Sequence, residues 1–86
     1  MGQPPRIWRK GERIDITYQG RVVTGRVELG SENGLALQIV FQALLGVFAG
    51  RMPVIWHESE CEYRDIIMGG VVGISEPAAL EERLQA

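Results

Sequence analysis

The stretch Ile14-Asp15-Ile16-Thr17-Tyr18-Gln19-Gly20-Arg21-Val22-Val23 decides the fold class of this chain. Ile14, Ile16 and Tyr18 alternate with Asp15 and Thr17, and a period of two marks a strand with one face buried. Gln19-Gly20 can reverse the chain. Residues 22–29 then resume an extended pattern, with Val23, Gly25 and Val27 on one face. Gly25 inside that run predicts a bulge or a bend, of the kind a small barrel needs at its corners. A second turn follows at Ser31-Glu32-Asn33-Gly34, because Asn-Gly tolerates positive φ at little cost. Leu35, Leu37, Ile39 and Phe41 next alternate with Ala36, Gln38, Val40 and Gln42. Strands joined by such short turns form a meander, and twisted antiparallel strands tend to curl and close, which hides their edges.

The pattern changes at Phe41. Phe41, Leu44, Leu45 and Phe48 stand at i, i+3, i+4 and i+7, the spacing of one apolar helix face, with Gly46 and Gly50 keeping any helix short. Residues 52–56 read as a fourth strand, with Pro53 near its start, where a missing donor is tolerated. Residues 58–62 read as an acidic loop, 63–68 as a fifth strand, Gly69-Gly70 as a turn and 71–74 as a sixth strand. Ser75 then caps a final helix whose first turn holds Glu76 and Pro77 and whose stripe is Leu80 and Leu84. The expectation is a mostly β protein, a small closed or partly open antiparallel barrel of five to six strands. It carries a short apolar helical segment near 41–48 and a C-terminal helix. Residues 1–8 are a flexible arm that prolines keep irregular, 9–75 the barrel and 76–86 the helix.

Composition narrows the function classes. The 86 residues, 45% apolar and 23% charged, make one globular domain too short for two lobes around a cleft. The single Cys61 excludes an internal disulfide framework and a four-cysteine zinc site. His57 and Cys61 stand four apart beside Glu58, Glu60 and Glu62, yet zinc wants more ligands than this run supplies. No nucleophile–base pair, phosphate loop or dinucleotide motif is present, so the reading is non-enzymatic, with no cofactor and no metal. The net charge of −2 argues against a nucleic acid polymer as partner. Residues 33–50 lack any charge but contain Asn33, Gln38, Gln42 and three glycines, short of a membrane span. Without a secretory signal pattern, a cytoplasmic location is expected. The uncharged run also predicts homo-oligomerisation, with Phe41, Leu44, Leu45 and Phe48 at the interface.

Charge is distributed unevenly. Residues 1–26 carry six basic side chains against two acidic ones, while the remainder carries three against nine. Arg9 and Arg13 open the first strand at i, i+4, and Ser31 and Gly34 follow the second. Arginine grips phosphate bidentately, and a Ser-Gly turn offers a hydroxyl and close backbone amides. Arg26 is a further cation if the second strand presents it to the same side, and Trp8 beside Arg9 is a candidate for stacking on a base.

These residues resemble the motifs of PilZ domains, small six-stranded barrels that bind the bacterial messenger cyclic di-GMP. Those domains carry RxxxR at the entry to the first strand and [D/N]xSxxG after the second. Here RxxxR is Arg9 to Arg13 and SxxG is Ser31 to Gly34, while Leu29 occupies the Asp/Asn position. The likeness covers residues 9–37. It implies a ligand-binding regulatory module that takes cyclic di-GMP, or another anionic nucleotide, on Arg9, Arg13, Arg26, Ser31 and Gly34.

Overall fold

The computed structural model describes residues 2–78. Six strands follow in order: β1 (Arg13–Tyr18), β2 (Arg21–Gly30), β3 (Ala36–Leu45), β4 (Phe48–His57), β5 (Glu62–Asp65) and β6 (Val71–Ser75). Each pairs antiparallel with the next, and β6 pairs back onto β1, so the sheet closes into a barrel. Closure leaves no strand edge unpaired around the ring.

The alternation read from the sequence determines what faces inward. Ile14, Ile16 and Tyr18 of β1, Val27 of β2, and Leu37, Ile39 and Phe41 of β3 are buried together. Met52 and Val54 of β4, Tyr63 of β5 and Val72 of β6 complete the interior. Gly25 faces inward in regular register, opposite Ile14 and Phe41; the bulge expected there lies instead between Val27 and Leu29. The glycine is needed for proximity, since a Cβ would collide with the Val40 carbonyl oxygen and stand 2.7 Å from Ile16 Cδ1.

No helix occurs among the described residues, and the helical segment expected over 41–48 is a hairpin. Strand alternation and a tight turn together mimic the helical spacing. Phe41 and Leu45 are inward residues of β3 with Ala43 between them packed against the core, the bulge of residues 41–43 opposite Gly50 leaves that alternation intact, and Leu44 faces outward. A two-residue turn at Gly46-Val47 then sets inward Leu45 against inward Phe48, with Gly46 at φ 60° as a II′ turn requires of its first central residue. The C-terminal helix expected over 76–86 is absent at 76–78, which continue irregularly from β6, and its remainder lies outside the described residues.

The expectation of a loose arm does not extend to Trp8. Its indole belongs to the core, its carbonyl lies against Gly30, and Ile7 lies against Gly34. The opening segment therefore covers the barrel end that carries the β2–β3 loop. Residues 9–12 form a turn continuing the β1–β2 ladder, through Gly11 N–H to the Val27 carbonyl and Val27 N–H to the Glu12 carbonyl.

At the opposite end, the β1–β2 turn places both Gln19 (φ 50°) and Gly20 (φ 79°) in the left-handed region, the geometry of a I′ hairpin. Gln19 is ill suited to that conformation, whereas Asn-Gly is the preferred pair. Gln19→Asn is expected to stabilise the chain by about 0.5 kcal/mol, roughly 2–4 °C in Tm by calorimetry. An unchanged or lower Tm would contradict the I′ assignment.

Candidate functional site

Register along the β1–β2 hairpin places Arg13 opposite Arg26. The row continues across the outer face through Val40 of β3 to Arg51 of β4. Arg51 is paired with Glu28 at 2.9 Å. Arg13 and Arg26 are both exposed, and among the described residues neither guanidinium has a carboxylate within 4.0 Å. Like charges directly opposite in a ladder destabilise it by a few tenths of a kcal/mol to about 1 kcal/mol.

The two arginines wall an open hollow of about 470 Å³ over β1, β2 and β3, shared with Thr24, Gly25, Phe41 and Gln42. Thr24 lies at the edge, its hydroxyl donating to Asp15 Oδ1 at 3.0 Å. Asp15 faces outward but is nearly buried, and the Ala78 amide donates to its other oxygen. The hollow thus combines two unneutralised guanidinium groups, one primary amide and an apolar floor.

The remaining predicted site residues lie elsewhere. Arg9 is exposed in the turn before β1, where its amide donates to Glu12 Oε1 at 2.6 Å. That bond is the largest influence on Glu12 and, with the Arg6 guanidinium at 2.5 Å, holds the carboxyl below its ordinary pKa against a smaller effect of burial. Ser31 serves its own loop: its hydroxyl donates to Asn33 Oδ1 at 2.8 Å and accepts from the Ala36 amide at 3.0 Å. Gly34 is buried with its amide on the Ser31 carbonyl, while its own carbonyl accepts from the Tyr63 hydroxyl at 2.6 Å. Ser31 stands five residues beyond Arg26, about 16 Å along an extended strand. It borders a different, apolar hollow with Leu29, Pro53, Ile55 and Ile66. The structure therefore brings Arg13 and Arg26 together and keeps Ser31 and Gly34 apart from them.

Of the proposed interface residues, Phe41, Leu45 and Phe48 are in the core and only Leu44 is outside, at 60% exposure. Trp8, the stacking candidate, is buried with the Arg6 guanidinium 3.8 Å above its ring. His57 Nδ1 lies 3.6 Å from Glu60, Cys61 is exposed, and no metal-binding group of three side chains forms among the described residues. No helix of the described residues is long and apolar enough to cross a membrane.

The Arg13–Arg26 pairing was open to sequence reasoning. A two-residue turn at Gln19-Gly20 fixes the register, and that register sets 13 against 26. No family model, curated protein or solved structure matches the chain.

Proposed function

We propose that this barrel is a non-enzymatic binding module that takes a phosphate-bearing ligand between Arg13 and Arg26. The observation that carries the reading is the pair itself: two exposed guanidinium groups, cross-strand partners, with no carboxylate within 4.0 Å among the described residues. An anion seated there relieves their repulsion and accepts forked hydrogen bonds from both. The hollow beside them falls in the size range of small-molecule sites. Val40, beside Arg26 on the outer row, gives it an apolar surface for a flat base, and Gln42 offers an amide to a base edge.

Cyclic di-GMP is the first ligand to test, because RxxxR stands at the entry to the first strand of a six-stranded barrel. In this reading Arg13 supplies the phosphate contact, Arg26 is its partner, and Arg9 on the adjoining turn reaches the ligand from outside. Ser31 and Gly34 act on the loop and not on the ligand.

Calorimetry with cyclic di-GMP, GTP and pyrophosphate tests the proposal. Binding to at least one is expected, with Arg13→Ala and Arg26→Ala each weakening it tenfold or more, about 1.4 kcal/mol. The same substitutions should leave the ligand-free chain as stable or slightly more stable, because each removes the cross-strand repulsion. No heat from any of the three at millimolar concentration, with folded protein, would remove the proposal.

A further inference from the structure

A second hollow, of about 380 Å³, lies on the other side of the barrel and takes no part in the basic site. Its walls are aromatic and aliphatic: Trp8, Trp56, Tyr63, Val72 and Ile74. Trp56 and Tyr63 meet edge to face with centroids 4.9 Å apart. The occupant of the rim is the chain's own beginning. Gln3 and Pro5 border the hollow, and the Trp56 indole N–H donates to the Gly2 carbonyl. Gly2 lies so close to Glu58 that a Cβ there would collide with its carbonyl oxygen. Arg6 completes the contact, bonded to Glu12 at 2.5 Å and Glu76 at 2.7 Å while its plane covers Trp8.

Three properties of this segment identify what the cleft accepts. Its backbone is irregular and its prolines fix φ, so little conformational freedom is lost on docking. An indole donor meets a backbone carbonyl, the contact by which aromatic grooves hold proline-containing peptides. An arginine meets two carboxylates at one end, while the exposed Glu58 lies against Gly2 at the other. The segment leaves part of the cleft unfilled, since Gln3 and Pro5 are exposed at the border of the hollow.

We infer that the cleft bounded by Trp8, Trp56 and Tyr63 is a docking site for an extended proline- and arginine-containing peptide of a partner protein, with residues 2–6 as its tethered occupant. Displacing these residues leaves Trp8 in the core, so the barrel stays closed while the cleft changes occupant. A tethered segment competes at an effective concentration in the millimolar range, and the full chain therefore binds such a peptide weakly until the segment is loosened.

The test uses the full chain and a variant carrying Pro4→Gly and Pro5→Gly, titrated with acetyl-Gly-Gln-Pro-Pro-Arg-amide. The readout is the NMR signal of the Trp56 indole N–H. The expected result is a peptide-dependent shift of that signal in both chains, with affinity at least tenfold higher for the variant. No shift in either chain at several millimolar peptide would overturn the inference, and the wild-type titration alone is decisive on this point should the variant not fold. Equal affinity in the two chains would also overturn it, because the segment would then not occupy the same cleft. A shift that grows with protein concentration in the absence of peptide would assign the cleft to the opening segment of a second copy and reject a separate partner.

Discussion

Replacing Trp8 by alanine is expected to cost about 3–5 kcal/mol, a large share of the roughly 4–13 kcal/mol that holds a domain of this size together. Trp8 is 4% exposed and packs with the inward side chains of the barrel. Truncation removes its transfer free energy and opens a cavity at the barrel end, while the Arg6 guanidinium loses the ring beneath it. The segment from Gly11 back to Gly2 carries few other inward anchors, so the arm and the turn at 9–12 loosen together. Urea denaturation followed by circular dichroism measures the loss. Trp8→Phe should restore more than half of it, since a ring again fills most of the space. A loss below about 1 kcal/mol would mean that the segment rests on the barrel without being part of its core.

Asp65→Ala is the second severe change, expected to destabilise by about 3–5 kcal/mol. The carboxylate is 2% exposed and ends β5. Oδ1 accepts from the amides of Ile67, Met68 and Gly69, and Oδ2 accepts from the Gly70 amide and the Tyr18 hydroxyl at 2.8 Å. One side chain thus organises the whole β5–β6 turn and ties it to β1. Removing it leaves the Tyr18 hydroxyl buried without its acceptor. Tyr18 itself has a raised pKa, first from burial and then from this carboxylate.

The pH dependence follows. Burial pushes Asp65 upward, but the bonds from Met68, Tyr18, Gly70 and Ile67 together outweigh it and leave its pKa below the ordinary carboxylate value. A carboxyl that is more acidic in the folded state stabilises the fold above its unfolded pKa, and that contribution disappears as pH falls through the lower, folded value. The wild-type chain should therefore lose stability below about pH 4, and Asp65→Asn should lose markedly less over the same interval. Equal acid sensitivity in the two chains would show that other carboxyls, Glu12 and Glu60 among them, govern the acid limb.

The first three strands were readable because their signals are local. Ile14, Ile16 and Tyr18 alternate without interruption, and Gln19-Gly20 and Asn33-Gly34 mark the turns. The stretch 41–48 resembles a helix because strand alternation sets Phe41 and Leu45 four apart, a two-residue turn sets Leu45 and Phe48 three apart, and the exposed Leu44 happens to be apolar. Asp65 escaped notice for a different reason. Its signal is an acid followed four and five residues later by Gly69-Gly70, and only the closed ring shows that Tyr18, 47 positions away, arrives at the same oxygen. Of the basic site, Arg13 was visible through its spacing to Arg9, whereas the separation of Ser31 from Arg26 is set by how far β2 continues past its bulge at Val27–Leu29, which no local residue marks.

The pairing of β6 with β1 has a consequence for protein architecture. The places where the polypeptide enters and leaves the ring are adjacent, for Asp15 pairs with Ser75. A unit built this way can be spliced into an exposed loop of a host protein without prying the host apart. It can equally be reconnected by a brief linker and reopened at Gly46-Val47, producing a permuted chain with the same ring.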